Sequence, residues 1–240
     1  AYNNAGDLVK YTDENGNSVT YNYDSQHRMT SWVDADNHVV TSNTYDNEGR
    51  VTIQTDSEGN TTRFAYADGK TTVTDANNNV TVYNYDSQYR TTRITYSDGS
   101  YETKEYDSNN NLAKATDRAG NSISYSYNAA GLVSKETRSI DGASRTYEYN
   151  SSNDLVKLTD YDGKTTVSVY NNSGDLVSTI DKNGNTQSFE YDSKHRVTTT
   201  TDANGNKTVF TYGNIWASSI TDANGNKTDY YYNGRGQVVS

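Results

Sequence analysis

The 240-residue chain contains neither cysteine nor proline, and both absences narrow its class. Without cysteine it cannot be a small secreted scaffold held together by disulfides. Without proline it lacks a residue in which intrinsically disordered chains are usually rich. Apolar residues are also scarce, at 31% of the sequence. A chain this polar could stay unfolded, but its 23 tyrosines and its many threonines and valines favour β-strands.

The chain also lacks an excess of basic residues and any long apolar run. Its formal net charge is −10, whereas nucleic-acid binding needs a lysine and arginine stripe that releases counterions. No segment approaches the ~18 apolar residues of a membrane helix. We therefore expect no nucleic-acid partner and no membrane insertion. Because the sequence begins with Ala1 and shows no signal peptide, we expect a mature product or part of a longer chain.

Tyrosines recur at a nearly constant spacing of 19 to 22 residues, most often 21. Asp or Asn follows ten of these twelve tyrosines, and the exceptions are Ala67 and Gly213. Such a period predicts one continuous array over residues 1–240 with about eleven repeats. The repeat tyrosines are Tyr2, Tyr23, Tyr45, Tyr66, Tyr85, Tyr106, Tyr127, Tyr149, Tyr170, Tyr191, Tyr212 and Tyr232.

The segment from Tyr191 to Tyr212 illustrates one repeat. It reads YDSKHRVTTTTDANGNKTVFTY, and Asn204-Gly205 is the signal of a two-residue hairpin turn with positive φ at both positions. Pairing outward from this turn collects the larger apolar side chains on one face, because alternate residues of a strand share a face. The predicted pairs are Thr201 with Thr208, Thr199 with Phe210, and Val197 with Tyr212.

Aromatic and aliphatic residues recur at equivalent positions of each repeat and form columns along the array. A lone hairpin is only marginally stable in water, so neighbouring hairpins must pack these columns together. We therefore predict an all-β fold of tandem β-hairpin repeats, stacked into a coiled or spiralling β-sheet ribbon or solenoid. Aromatic residues stand two positions before the tyrosine at Tyr21, Phe64, Tyr83, Tyr125, Tyr147, Phe189, Phe210 and Tyr230. Aliphatic residues predicted to face the tyrosine are Leu8, Met29, Val51, Leu112, Val133, Leu155, Leu176, Val197 and Val238. Turn glycines fall into an Asn-Gly type (Gly16, Gly184, Gly205, Gly225) and a second type after the tyrosine (Gly6, Gly49, Gly131, Gly174).

The pattern Tyr-Asp-x-x-Gly-Arg-Val/Leu followed by Thr-Asp-x-x-Gly-Asn-x-Thr resembles the tyrosine-aspartate (YD) repeats of the Rhs family. Residues 45–66 show it as YDNEGRVTIQTDSEGNTTRFAY. Related repeats occur in bacterial Rhs polymorphic toxins, wall-associated proteins, insecticidal toxin complexes and teneurins. The resemblance implies a spiralling β-sheet that forms a hollow shell, around a toxin domain in toxin members and in support of adhesion in teneurins.

Two departures from the Rhs toxins qualify that expectation. Their shells end in an Asp-Pro-x-Gly motif linked to self-cleavage, and a chain without proline cannot contain it. The 240 residues contain no toxin domain, and we expect a closed shell of this family to need more than eleven hairpins. We expect an extracellular or cell-surface structural segment, not an enzyme, that forms part of a shell wall around a toxin cargo. The alternative is a surface fibre or stalk for adhesion. Expected partners are further repeats of the same chain or identical copies end to end.

Acidic residues form a ladder rather than a catalytic pair. A glycosidase needs two carboxylates at a set separation across a cleft, whereas a carboxylate near a hairpin tip accepts hydrogen bonds from turn amides. We predict the second role for this ladder. Its members are Asp13, Asp34, Asp56, Asp117, Asp160, Asp181, Asp202 and Asp222.

Three further features of the sequence are candidate sites. His27 and His195 occupy a turn position that holds Tyr89 in another repeat, so we expect no catalytic residue there and no cofactor. Residues 202–206 resemble the start of a calcium loop but lack the bidentate glutamate at its twelfth position. We expect turns and no metal site, with calcium binding an open alternative. Exposed aromatic rows could bind cell-surface carbohydrate, and Trp32 and Trp216 lie outside the aromatic columns.

Overall fold

A computed structural model describes residues 1–213 and 215–239, which form two compact units, Ala1–Asn121 and Ser122–Ser240. The first unit contains β1 (Lys10–Thr12), β2 (Ser18–Tyr23), β3 (Met29–Val33), β4 (Val39–Tyr45), β5 (Val51–Asp56), β6 (Thr61–Ala67), β7 (Lys70–Thr74), β8 (Val80–Tyr85), β9 (Thr91–Thr95), β10 (Tyr101–Tyr106) and β11 (Leu112–Thr116). The second unit contains β12 (Ser122–Tyr127), β13 (Val133–Arg138), β14 (Ser144–Tyr149), β15 (Leu155–Thr159), β16 (Thr165–Tyr170), β17 (Leu176–Ile180), β18 (Thr186–Tyr191), β19 (Val197–Thr201), β20 (Lys207–Tyr212), β21 (Ala217–Thr221) and β22 (Lys227–Asp229).

Each strand pairs antiparallel with the next strand of its own unit. Over the described residues there is no helix. The predicted all-β fold of tandem hairpins is therefore confirmed. Within the same ranges, no helix has the length and apolarity needed to cross a lipid bilayer.

The Asn-Gly turns have three loop residues, so the predicted two-residue geometry is wrong. In the turn at Asp202, the Gly205 N–H donates to the Asp202 carbonyl at 3.0 Å, and the Asp202 N–H donates to the Asn206 carbonyl at 3.0 Å. Gly205 has φ 83°, whereas Asn204 is not in the left-handed region. A type I turn followed by one left-handed residue produces this loop. Both predicted turn types share it, since Gly49 after Tyr45 has φ 82° and bonds to Asp46 in the same way.

The longer loop shifts the predicted register by one residue. Thr201 lies opposite Lys207, Thr200 opposite Thr208, and Thr199 opposite Val209. All three predicted pairs, Thr201 with Thr208, Thr199 with Phe210, and Val197 with Tyr212, are therefore wrong. A one-residue slip moves every side chain of one strand to the other face. Within β20 the predicted faces are correct, because its burial alternates and leaves Phe210 half-buried and Val209 exposed.

A β-bulge follows most of the repeat tyrosines. Tyr191 lies opposite Val197, while Glu190 lies opposite Thr199, so Thr198 is the extra residue. The same irregularity occurs where β2, β4, β8, β10, β12, β14 and β16 meet the following strand. A bulge increases local twist and re-aims side chains. The sequence predicts that Val197 faces Tyr212 of its own hairpin, but Val197 pairs with the preceding repeat tyrosine, Tyr191.

Departures from the 21-residue spacing have local causes. The 19-residue interval after Tyr66 contains a two-residue loop, Asp68-Gly69, because Ala67 pairs directly with Lys70. In the 22-residue interval after Tyr23, Val40 is an extra bulged residue of β4.

The other two departures arise at loops of the second unit. After Tyr127 the interval contains a loop of four residues, in which the Arg138 N–H donates to the Ala143 carbonyl. Tyr212 pairs with Ala217, five residues later in the sequence. Tyr191, by comparison, pairs with Val197, six residues later. The repeat therefore tolerates insertions and deletions at its loops and bulges while the strand pairing continues.

No hydrophobic side chain among the described residues is buried, so the sheets have no conventional core. The accessible surface is 15602 Å², whereas a compact monomer of this mass exposes about 10,700 Å². We name the side that carries Tyr21, Phe64, Phe210 and the repeat tyrosines the aromatic face. Its aromatic side chains are half-buried, apart from Tyr2, which is 72% exposed.

The two tryptophans occupy different environments. Trp32 lies opposite Tyr21 in the ladder and is half-buried. The prediction that it lies outside the aromatic columns is therefore wrong. Trp216 is 51% exposed and stacks on Tyr232, with ring centroids 5.9 Å apart.

Replacing Phe210 by Ala should destabilise the protein by about 2 kcal/mol, less than the ~3–5 kcal/mol of a fully buried phenylalanine, because the ring is half-buried. Val209, which is 39% exposed on the opposite face of the same strand, is the matched control, and its replacement by Ala should cost well under half as much. Urea denaturation of both variants measures the difference. Equal losses would contradict the assignment of the two faces.

Candidate functional site

The hydroxyl of a repeat tyrosine reaches back onto the preceding strand. Tyr66 donates its hydroxyl hydrogen to the Val51 carbonyl at 2.7 Å, and Tyr212 donates to the Val197 carbonyl at 2.7 Å. The same bond links Tyr23 to Leu8, Tyr45 to Met29, Tyr106 to Thr91, Tyr149 to Val133, Tyr191 to Leu176 and Tyr232 to Ala217. The aliphatic residue that the sequence predicts to face the tyrosine does lie next to it. It accepts the hydroxyl hydrogen bond at its backbone carbonyl and is not the cross-strand partner of that tyrosine.

An arginine joins each Tyr-Asp-x-x-x-Arg turn to the next repeat. The Arg50 Nε donates to Asp46 Oδ2 of its own turn at 2.8 Å, and its guanidinium lies 4.5 Å from the ring centroid of Tyr66. A cation over an aromatic face is attracted by the ring quadrupole. The same stacking recurs between Arg28 and Tyr45, Arg90 and Tyr106, and Arg196 and Tyr212. Each arginine therefore holds one turn closed and bridges to the following hairpin.

At two turns where aspartate replaces this arginine, a histidine of the next turn makes the bridge. His27 Nδ1 lies 3.0 Å from both carboxylate oxygens of Asp7, and His195 Nδ1 lies 2.8 Å from Asp175 Oδ1. Both histidines have left-handed backbones, with φ of 61° and 60°. Sequence reasoning missed these pairs, although an aspartate 20 residues before each histidine was the available signal.

The turn aspartates use their carboxylates to close the loops. Asp202 Oδ1 accepts the N–H groups of Asn204 and Asn206 at 2.9 Å, and Oδ2 accepts the Asn206 side-chain amide at 2.9 Å. Hydrogen bonds from Asn206 hold the pKa of Asp202 below its usual range. Arg196 acts likewise on Asp192 and lowers its pKa to about 2.

The ladder predicted from the sequence occupies these turns. Paired amide bonds of the Asp202 type occur at Asp13, Asp34, Asp56, Asp117, Asp181 and Asp222. Asp160 differs, because it accepts the Tyr161 N–H and the Arg145 guanidinium. Asn128 replaces aspartate in one turn and accepts the same two amides. At Asn128, an uncharged oxygen acceptor therefore closes the loop in the same way as a carboxylate.

A polar cluster interrupts the aromatic face of the second unit. Glu136, opposite Tyr125, accepts the hydroxyls of Tyr147 and Tyr161 at 2.8 Å, one on each carboxylate oxygen. Arg145 lies 4.6 Å from the ring centroid of Tyr161. Burial and the bond to Glu136 raise the pKa of Tyr161 to about 12. Through its two carboxylate oxygens, Glu136 of β13 therefore links Tyr147 of β14 and Tyr161 of the turn after β15.

Oxygen and nitrogen ligands for a metal converge at one turn. One ligand atom each from Asp34, Asp36 and His38 lies within 4.8 Å of the others. All three side chains are in one turn, and Asp36 and His38 are exposed. In the Asp-x-Asn-Gly-Asn turns, by contrast, the carboxylates point at the loop amides, which favours the turn interpretation over a calcium loop.

The residues singled out from the sequence are distributed along the array rather than gathered in one cleft. Phe64, Phe189 and Phe210 lie within strands, opposite Val73, Thr200 and Ile220. Gly184, Gly205 and Gly225 are the left-handed residues of their loops, and Asp56, Asp181 and Asp202 begin theirs. The tyrosines at strand ends are Tyr23, Tyr45, Tyr106, Tyr127, Tyr149, Tyr170, Tyr191 and Tyr212. Along the described chain, these residues therefore lie at positions that recur in each hairpin and contact the neighbouring hairpin or close its loop.

Three segments of the chain, residues 2–39, 106–146 and 170–208, match the family model described as RHS Repeat. The chain therefore carries Rhs repeats, and the resemblance drawn from the Tyr-Asp pattern is confirmed. No curated protein matches the sequence.

Solved structures show the same fold. A TcdB2–TccC3–Cdc42 crystal structure covers 96% of this chain at a TM-score of 0.54 and 15% identity. A TcdB2–TccC3 structure without its hypervariable C-terminal region covers 99% at a TM-score of 0.54 and 13% identity. The Tc holotoxin pore of Photorhabdus luminescens aligns over 99% of this chain, with a TM-score of 0.48 and 13% identity. This chain covers only 15%, 18% and 17% of those chains, respectively.

Replacing Tyr66 by Phe removes only the hydroxyl that bonds to Val51. We expect a loss of about 1 kcal/mol, because the carbonyl loses its partner while the ring keeps its contact with Arg50. Tyr89, which is 86% exposed, is the control, and Tyr89→Phe should change stability by less than about 0.5 kcal/mol. Chemical denaturation of both variants tests this, and equal effects would count against the hydroxyl link.

Acid should weaken the turns. Their aspartates have folded pKa values below the ordinary 3.8, so the stabilisation they give is complete above about pH 4 and is lost as the pH falls towards 2. Thermal melts from pH 5 to pH 2 should show a falling Tm. Asp202→Asn, which keeps the oxygen acceptor, should show a smaller fall. An unchanged Tm across this range would contradict the assigned role of the carboxylates.

Proposed function

We propose that this chain is a segment of an extracellular β-sheet shell wall that encloses a protein cargo. Its repeats belong to the Rhs type, and its fold is that of TcdB2–TccC3 structures. The observation that carries the proposal is the absence of buried hydrophobic side chains among the described residues. A sheet in which neither face is covered is suited to separating two compartments.

The contacts between repeats support a wall. Arg50 over Tyr66 and His27 against Asp7 tie neighbouring turns together along one edge of the first unit. The tyrosine hydroxyls add a bond from each hairpin to the strand before it. Such links resist separation of adjacent strands, which is the failure that would open a hole in a wall.

The grooves of the described chain are shallow and fit this structural role. One lies between the loops at Asp56 and Asp75 and encloses about 360 Å³. Its lining is hydroxyl, amide and carboxylate groups, including Thr41, Gln54 and Asn60. The carboxylates of Asp56 and Asp75 also accept loop amides at their own turns.

Cysteine labelling tests the wall directly, because these 240 residues contain no cysteine. Thr71 and Thr72 are adjacent on β7, are both half-buried and point to opposite faces. Thr71→Cys and Thr72→Cys in the native assembly should both react with a small maleimide. If one face lines a lumen, only one of the two should react with a maleimide carrying a large polyethylene glycol chain.

Equal reaction of both cysteines with the large reagent would contradict an enclosed lumen and would favour an open fibre. Electron microscopy of the same samples provides an independent check. We expect particles with a low-density interior, and straight filaments would overturn the shell proposal.

A further inference from the structure

We propose that a polar brace centred on Glu136 clamps the β13–β14 hairpin to the β15–β16 turn at neutral pH and releases it in alkali. The brace consists of Glu136, Arg145, Tyr147 and Tyr161. The inference concerns the second unit alone. It goes beyond the wall role and does not depend on it.

Glu136 is the hydrogen-bond acceptor of the brace. Its Oε1 accepts the Tyr147 hydroxyl and its Oε2 accepts the Tyr161 hydroxyl, both at 2.8 Å. Tyr147 lies on the adjacent strand, whereas Tyr161 lies 25 residues further along the chain, in the turn after β15. Because the Glu136 side chain is only 18% exposed, its charge depends on these two donors.

Two arginines hold the ring of Tyr161. The guanidinium of Arg138 lies 4.1 Å from the ring centroid, and that of Arg145 lies 4.6 Å from it. Arg145 also donates from Nε and Nη2 to Asp160 Oδ1, at 3.1 Å and 2.9 Å. The turn is therefore tied to β14 through Asp160 as well as to β13 through Tyr161.

Charges of both signs surround the two phenols. Strand β12 contributes Tyr125, which lies opposite Glu136, and β15 contributes the uncharged Leu158 opposite Tyr147. The neighbouring anions and cations are Glu136, Asp141 and Asp160 on one side and Arg138, Arg145 and Lys182 on the other. Since these charges balance, the hydroxyl protons decide whether the phenol oxygens attract or repel Glu136.

Loss of the phenol protons reverses the contact. A hydroxyl donates to the carboxylate, but an ionised phenol has no hydrogen to donate and places a second negative charge 2.8 Å away. Burial and the bond to Glu136 raise the pKa of Tyr161 to about 12, and they raise the pKa of Tyr147 above its ordinary 10.0. The stabilisation from these phenols is therefore complete below about pH 10 and is lost as the pH rises towards 12.

Replacing Glu136 by Gln tests the brace, because it removes the charge and one of the two acceptor oxygens. Glu148→Gln is the matched control, since Glu148 lies on the other face of β14, is 57% exposed and pairs with Lys157. Urea denaturation of the 240-residue chain at pH 7 should show Glu136→Gln raising the unfolding equilibrium constant about tenfold. At pH 10.5 that ratio should fall below about threefold, whereas Glu148→Gln should stay within about threefold of the parent chain at both pH values.

A ratio for Glu136→Gln that stays the same or grows at pH 10.5 would overturn the proposal. The same narrowing in Glu148→Gln would overturn it too, because the effect would then follow net charge. Circular dichroism monitors the fold at each pH, and loss of the strand spectrum below pH 10 would contradict a brace that stays closed there.

A second measurement follows Tyr161 directly and does not require the Glu136 variant to fold. Tyr161→Phe keeps the ring between the arginines and removes only the hydroxyl. The difference in phenolate absorbance between the parent chain and Tyr161→Phe gives the titration of Tyr161 itself. We expect this phenol to remain mostly protonated at pH 10.5. Ionisation of half or more of it by pH 10, as for a free phenol, would overturn the proposal.

Discussion

Lateral contact between neighbouring hairpins is the constraint on which the structure depends. The described chain has no opposing layer and no buried hydrophobic side chain, so each residue gains its burial from the strands on either side. The tyrosine hydroxyl, the arginine over the next ring and the histidine–aspartate pair all act in this direction. Stability is then a sum of nearest-neighbour terms, as in other repeat proteins. Local insertions such as Val40 are tolerated because they leave these contacts in place.

This arrangement explains why the chemistry is repetitive rather than concentrated. Functional groups that recur once per hairpin are spread along the sheet, where the contacts described above join neighbouring hairpins. The turn carboxylates accept hydrogen bonds from loop amides, and Glu136 accepts hydrogen bonds from two tyrosine hydroxyls. Aspartate, glutamate and tyrosine, which suggest acid–base or metal chemistry in a compact enzyme, here close loops and connect strands. The Rhs repeats and the shared fold are consistent with the proposed wall.

Much of the fold could be predicted from the sequence, because the Tyr-Asp period and the two-residue alternation each determine local structure. The sequence predicts a two-residue turn at Asn204-Gly205, and this prediction is wrong. Asp202 favours a three-residue loop, because its carboxylate accepts the amides of Asn204 and Asn206. That single residue changes the register and hence the cross-strand pairs. The inter-repeat contacts of His27 and Arg50 were not predicted, since they join residues about one repeat apart and depend on the register.

The central claim is that neighbouring repeats are energetically coupled through these side chains. A double-mutant cycle between Arg50→Ala and Tyr66→Leu tests it most directly, because the guanidinium lies 4.5 Å from the ring centroid. The account predicts a coupling free energy of about 0.5–1 kcal/mol for this pair. It predicts none for Arg50 with Tyr106, whose ring is covered by Arg90 of its neighbouring turn. Zero coupling between Arg50 and Tyr66, or equal coupling in both pairs, would contradict the account.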